Sequence, residues 1–445
     1  MKLKAFFNSL SPSQILVFWF FITISVGFVL LLLPFATVNG ISPVDSLFTA
    51  TSATCVTGLI VVDTPTKFTF FGKIVILALI QAGGLGIMTI STFFMLIMGR
   101  RIGLRNRVLL RDNLNQNRIG GLLRLLLDVV KYTAVFEGLG ITLFFFSFSK
   151  RFNYDQAFWL SIFHSISAFC NAGFSLFSDS FIYYKSDVYI NSVLAFLIVS
   201  GGLGFAVLTE IDLRKKIKWE SFSLQAKLVF TTTLILLSIG TILLRLSEAG
   251  YFSSIGIRDE GTKWLTSFFQ SVTARTAGFN TVPIGSLATP ALMILMLLMF
   301  VGGSPGSTAG GIKTVTAAVI FLYVKALIRG KREVTVFKRK IKDEVIGKSL
   351  AIVSLSLAFI FSIAFLLTFT EHSFPFKEII FETMSAFGTV GLSMGITPHL
   401  STLGKLFITI TMFTGRLGPL TIFMAMYGKE KRLLYKYPEE DISVG

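Results

Sequence analysis

Eight apolar stretches, each long enough for a helix to cross a bilayer, lie near 14–34, 70–98, 124–149, 190–212, 226–248, 289–328, 348–370 and 403–427. One crossing needs about 20 mostly apolar residues, so this pattern commits the chain to a membrane before any other feature is weighed. The first stretch ends in Leu33-Pro34 rather than in a small-x-small cleavage site, and therefore reads as a span and not as a removable signal. Between the members of each successive pair sits a shorter apolar run, near 44–54, 157–169, 263–274 and 376–387. Roughly 12 residues cannot span and suit a re-entrant or buried helix.

Charge follows the same plan. Only 15% of residues are charged while 53% are hydrophobic, which excludes a soluble chain, and 47 Phe exclude a disordered one. The formal net charge is nevertheless +17. Lys and Arg number two in 1–13, seven in 99–124, five in 213–227, nine in 325–348 and four in 428–445, or 27 of the 41. All of these segments fall on one side if eight helices span, and the positive-inside rule makes that side, with both termini, cytoplasmic. Topology and attraction to anionic headgroups thus account for the basicity without nucleic acid. Two cysteines make no disulfide framework, and His164, His372 and His399 are too scattered for a metal site.

The short stretches align with one another without gaps: Phe48-TATSATCVT-Gly58, Phe163-HSISAFCNA-Gly173, Phe268-FQSVTARTA-Gly278 and Phe381-ETMSAFGTV-Gly391. A second signature follows each: Gly83-Gly84-Leu85-Gly86, Gly201-Gly202-Leu203-Gly204, Gly302-Gly303-Ser304-Pro305 and Gly415-Arg416-Leu417-Gly418. The expected fold is an all-α integral membrane protein of four tandem units around one pore. Each unit is a spanning helix, a re-entrant pore helix with a glycine-bearing segment, and a second spanning helix, with eight transmembrane helices in all. The boundaries are 14–123, 124–225, 226–347 and 348–428, flanked by tails 1–13 and 429–445.

Irregular backbone at membrane depth is tolerated where it lines a cavity or is buried in protein. Carbonyls aimed at an axis can replace the hydration shell of a cation, and glycine adopts the positive φ this requires. The segments Val56-Thr57-Gly58, Asn171-Ala172-Gly173, Thr276-Ala277-Gly278 and Thr389-Val390-Gly391 are therefore candidates for a selectivity filter. The second set of glycines suits either close helix packing or pore lining.

These stretches, with GGSPGSTAGGIK and GRLGP, resemble the Trk/Ktr/HKT superfamily of potassium transport subunits, and above all the bacterial Ktr membrane subunit, over essentially the whole chain. The resemblance implies a homodimer, each protomer with its own pore, mounted on a cytosolic octameric ring of nucleotide-binding RCK-type subunits that carry ATP or ADP. It also implies K+ as the transported ion, with Na+ as a candidate activator and no cofactor on this chain. A filter glycine in all four repeats is the pattern the superfamily associates with potassium rather than sodium.

The third repeat departs from the others, because residues 302–311 interrupt its second helix with one proline and several glycines. A loop is expected there, and the resemblance assigns Gly306, Ser307, Thr308, Ala309, Gly310 and Gly311 to a gate; a kinked packing hinge is the alternative. The run Gly306-STAG-Gly311-Ile312-Lys313-Thr314 imitates a phosphate loop, but its Lys is one place late and no strand precedes it. Arg416, an ionisable group in a membrane segment, is either a latch for this loop or a structural group that pairs with an acidic neighbour or caps carbonyls. Arg275 is expected to face away from the pore and to pair with an acid, Glu382. Cys55 and Cys170 read as small buried filler.

An intramembrane enzyme would need a nucleophile and base or a metal dyad, whereas Asp128, Glu137, Glu210 and Asp212 lie near helix ends or alone. A sodium-coupled secondary carrier is the alternative to a pore, but such carriers show inverted repeats and intramembrane carboxylates, and here all four repeats run the same way. No soluble segment is long enough for a nucleotide-binding domain. Docking of the ring is expected at Arg329, Lys331, Arg332, Lys338, Arg339 and Lys340 and over Arg100 to Arg118, with lipid headgroups as the other reading, and the tail Tyr435 to Gly445 is a candidate dimer surface.

Overall fold

The computed structural model describes residues 11–86, 122–212, 218–248, 256–331 and 333–427. The loop from Arg100 to Arg118, Arg332 and the tail from Tyr435 lie outside these residues. Single-turn helices aside, the first repeat consists of α1 (Pro12–Leu32), α2 (Pro43–Thr54) and α3 (Phe70–Leu85). The second comprises α4 (Leu122–Phe148), α5 (Tyr154–Phe169), α6 (Val188–Leu203) and α7 (Phe205–Asp212). In the third, α8 (Leu224–Ser247), α9 (Glu260–Thr273), α10 (Thr289–Phe300) and α11 (Thr314–Ile328) are followed by a hairpin of β1 (Thr335–Val336) and β2 (Arg339–Lys340). The fourth is α12 (Asp343–Thr370), α13 (Phe376–Gly388), α14 (Thr402–Leu417) and α15 (Pro419–Tyr427).

Local chemistry sets the helix starts. Ser11 and Gln14 form a reciprocal capping box ahead of α1, with Pro12 at its first position. The second helices of three repeats open on a side-chain cap, from Thr69, Asp187 and Ser401 to the amides of Gly72, Ile190 and Gly404. Their ends are equally alike. Gly86, Gly204 and Gly418, at φ 83°, 92° and 84°, terminate α3, α6 and α14.

This corrects the expectation that only the third repeat is broken. The α6/α7 pair bends by 98° and the α14/α15 pair by 94°. By length and composition α1, α4, α8 and α12 can each cross a membrane, and among the described residues the number reaches six if each bent pair counts as one span. The apolar helices α3, α10 and α11 are shorter than a full span. The chain is a multi-pass helical membrane protein.

Packing is cyclic. Each first helix packs on its own pore helix, and each second helix packs on the pore helix of the next repeat: α3 on α5, α6 on α9, α10 on α13, and α14 back on α2. Lipid is as apolar as leucine, so close van der Waals fit holds such helices together. Phe48, Phe163 and Phe381 are fully buried in it. A Cβ at Gly83, Gly201 or Gly415 would strike the carbonyl oxygen of Thr54, Phe169 or Phe387 respectively, the equivalent residue of each repeat. Close packing thus requires glycine at these three positions, while Gly302 instead abuts Gly310 within its own loop.

Candidate functional site: a glycine ring and the loop beneath it

The four pore helices end at four backbone segments of one conformation. Val56, Asn171, Thr276 and Thr389 have φ of 57°, 61°, 78° and 49°, and two residues later Gly58, Gly173, Gly278 and Gly391 have φ of 88°, 70°, 77° and 91°. A left-handed non-glycine residue costs about 1–2 kcal/mol, so something must hold each segment. The amides of Thr57, Ala172, Ala277 and Val390 donate to the carbonyls of Ser52, Ser167, Thr273 and Ser385 at 2.8–2.9 Å.

The glycines themselves close a ring. A side chain on Gly58 would meet the Ala172 carbonyl oxygen, and one on Gly173 that of Ala277. Gly278 faces the Val390 carbonyl oxygen in the same way, and Gly391 that of Thr57. Each glycine is thus pressed against the peptide preceding the next repeat's glycine, and the fourth returns to the first. Positive φ and this close approach both exclude a Cβ.

The hydroxyls behind the ring hold its segments in place and were not singled out from the sequence. Ser52 Oγ donates to the Leu59 carbonyl (2.7 Å) and accepts from the Gly58 amide (3.1 Å). Ser167 and Thr273 donate likewise to Phe174 (2.7 Å) and Phe279 (2.8 Å), and Ser385 accepts from the Gly391 amide (3.1 Å). Serine six places before glycine in three repeats was a visible signal. In the third repeat the hydroxyl is only five places before, so its pore helix is set one residue closer to the ring. The gapless alignment is wrong there: Phe268 is 37% exposed, and Phe269 is the buried phenylalanine.

One cavity opens directly onto the four glycines and is walled by Asp63, Asp179, Ser175, Asn280, Ser393 and Thr397. Asp63 accepts from Thr66 (2.6 Å) and Ser178 (3.0 Å). A second cavity lies beyond the loop and is lined by Gly83, Gly84, Gly306, Ser307, Lys313 and Arg416.

The loop is docked rather than loose. Its neck is closed by the Gly302 amide on the Ile312 carbonyl (2.9 Å). The amides of Ser304 and Thr308 donate to the carbonyls of Gly202 (2.9 Å) and Gly201 (3.2 Å), and the Phe205 amide donates back to the Gly306 carbonyl (2.9 Å). The bend after α6 therefore provides the loop's seat. Arg416 reaches it from the fourth repeat, donating to the carbonyls of Thr308 and Gly83. Lys313 donates to the Ala309 carbonyl at 2.7 Å.

Arg275 does not pair with Glu382. Its Nη2 donates to the Gly302 carbonyl at 3.2 Å, because its place three residues before Gly278 turns it toward the loop neck. Glu382 instead accepts from Ser393 (2.8 Å) and Thr397 just past the fourth glycine. His164 and Gln270 make the corresponding contacts with Ser175 and Thr281, each at 3.2 Å. Cys55 and Cys170 are free and fully buried. Glu137 is not alone, since it accepts from Gln81 Nε2 at 3.2 Å between the first two repeats.

The segment after α11 is a hairpin rather than a plain loop, and it adds two short strands to the expected all-α fold. Its turn places Phe337 and Lys338 at φ 49° and 59°, held by the Phe337 ring against Trp219 (6.1 Å between centroids). Arg329, Lys331, Lys338, Arg339 and Lys340 are exposed. Glu333, bonded to Lys340 at 2.6 Å, raises that amine above the usual lysine range.

These features define a polytopic membrane protein organised about four re-entrant segments. The family model described as "Cation transport protein" (TrkH) matches residues 7–431. The chain belongs to this TrkH family of cation transport proteins. It is 44% identical over 438 residues to "Ktr system potassium uptake protein B" of Bacillus subtilis, covering 98% of this chain and 97% of the relative. To the protein of the same name from Vibrio alginolyticus it is 41% identical, with 94% and 91% covered. To "Potassium/sodium uptake protein NtpJ" of Enterococcus hirae it is 36% identical, with 98% of each chain covered. The crystal structure of the potassium transporter TrkH from Vibrio parahaemolyticus shares the fold, with a TM-score of 0.72 at 18% identity over 93% of this chain and 84% of that one.

Proposed function

We propose that the chain is the ion-translocating subunit of a potassium uptake system. K+ passes the ring formed by 56–58, 171–173, 276–278 and 389–391, and residues 306–311 with Arg416 gate it. The observation that carries this reading is the closed ring of four glycines, each with a left-handed residue two places before it. Carbonyls in such a ring can replace the hydration shell of a cation. Four pore helices end there, so their C-terminal half-negative dipoles favour a cation as well. The relatives named as potassium uptake proteins support the choice of ion.

The gate assignment rests on position. The loop underlies the ring, and a fixed cation at Arg416 raises the energy of an ion passing it. The protein works as a homodimer in the bacterial plasma membrane with both termini cytoplasmic, and the cavity bearing Asp63 and Asp179 faces outward. A cytosolic octameric RCK-type ring binding ATP or ADP docks on the basic hairpin. The naming of two relatives as parts of a Ktr system supports an assembly of several components.

A sodium-coupled carrier is the second reading, favoured by the relative named as a potassium/sodium uptake protein and by the half-buried Glu137–Gln81 pair. Uptake of radioactive rubidium by vesicles holding the purified protein separates the two. A pore takes up rubidium without sodium and follows the membrane potential, whereas a carrier needs a sodium gradient and moves labelled sodium with it. Uptake no greater than in empty vesicles under both conditions overturns both readings.

A further inference from the structure

We infer that Thr308 and Asn171 tie the position of the intramembrane loop to the ion preference of the glycine ring, so that releasing the loop changes which cation the ring favours. This rests on the filter and gate readings above. Thr308 is fully buried and has two attachments of different kinds. Its backbone carbonyl accepts from Arg416, the contact that fastens the loop. Its hydroxyl lies 3.2 Å from the Asn171 side-chain amide and 3.0 Å from the Phe169 carbonyl. Both of those residues belong to the segment that leads into Gly173.

Asn171 holds the left-handed backbone two places before Gly173. Asparagine tolerates that conformation better than most residues but does not require it. A side chain held at a fixed point therefore helps to keep the peptide after it, Ala172, in the ring. The equivalent residues Val56, Thr276 and Thr389 make no side-chain hydrogen bond to the loop among the described residues, although Gly310 packs on Thr389 and Gly302 on Thr276. The loop thus touches the ring through several repeats: its own Thr308 side chain is hydrogen-bonded to the second repeat's segment, while Arg275 of the third repeat donates to its neck at Gly302. If loop position alters ion binding, ion binding must alter loop position by the same factor. Bound K+ therefore favours the docked loop.

The test is the ratio of half-saturation by rubidium to half-inhibition by sodium, read in vesicle uptake and by calorimetric displacement on purified protein. Thr308→Val keeps the shape and removes the hydroxyl, and Arg416→Gln frees the loop without touching Asn171. Each is expected to move the ratio toward one by about two- to tenfold, the range one hydrogen bond supports. Asn171→Ala should act alike, and the Asn171→Ala, Thr308→Val double variant should shift it no further than the larger single change. Thr308→Ser should keep the wild-type ratio, and a shift there assigns the effect to packing and overturns the inference. Faster uptake in Thr308→Val and Arg416→Gln with an unchanged ratio overturns the inference and leaves the gate standing. Unchanged uptake and ratio in both remove the gate reading and the inference with it.

Discussion

Arg416 of the fourth repeat donates a hydrogen bond to the carbonyl of Thr308 in the loop of the third, and through its other terminal nitrogen to Gly83 of the first. One side chain thus joins three repeats beneath the glycine ring. Arg416→Gln removes the charge and part of this bonding. Charge-assisted bonds contribute about 1.5–3 kcal/mol each, so the initial rate of rubidium uptake should rise roughly tenfold. An unchanged rate, with and without the regulatory ring, would remove the latch.

Gly391→Ala should abolish selective uptake, since φ is 91° and the added Cβ meets the Thr57 carbonyl. Gly40 also has positive φ, 68°, but nothing lies within 4 Å of a Cβ there. Gly40→Ala carries only backbone strain of about 1 kcal/mol and should transport normally. Comparing uptake of the two variants separates the ring from strain in general.

Thr273→Val and Ser52→Ala each delete a hydroxyl that supports a ring segment from behind. The net loss should be about 1 kcal/mol per bond, felt as weaker ion binding at the ring. The protection of the purified protein against thermal unfolding by added KCl should therefore shrink. Wild-type protection in both variants would remove the buttressing role.

Both cysteines are fully buried, so maleimide should leave uptake unchanged. Cys170 Sγ lies 3.5 Å from Gln81 Oε1, an acceptor ready for a serine hydroxyl. The Cys55→Ser, Cys170→Ser double variant should accordingly conduct. Loss of uptake in this variant with the fold intact would give the thiols a role beyond filling space.

Neutralising Lys338, Arg339 and Lys340 together should weaken co-purification with the cytosolic ring, and added salt should weaken the wild-type complex in the same way. Lys340 is already paired with Glu333, so most of the effect should come from Lys338 and Arg339. Complex retention at high salt would exclude electrostatic docking.

Periodicity made the four repeats and their glycines readable, because positive φ at Gly58, Gly173, Gly278 and Gly391 is a demand that one residue type meets best. The left-handed residues two places earlier were not readable as such, since Val56 and Thr276 are poor choices for that conformation and are held there by the pore helices. Breaks at Gly204 and Gly418 were not readable because apolar residues continue on both sides. The one-residue offset in the third repeat was hidden because Phe268 and Phe269 are adjacent and identical, so only burial distinguishes them.

The sequence by itself determined that this chain lies in a membrane, and it marked the four spaced glycines whose backbone has positive φ. Those properties follow from local composition and spacing, which each residue carries with it. The tertiary structure alone decided which residues meet across repeats: Gly391 with Thr57, Arg416 with Thr308 and Gly83, Arg275 with Gly302 rather than Glu382. A buried cation can be satisfied by any carbonyl within reach as well as by a carboxylate. Its partner is fixed by where the chain's breaks bring free carbonyls, and that depends on how the four units close.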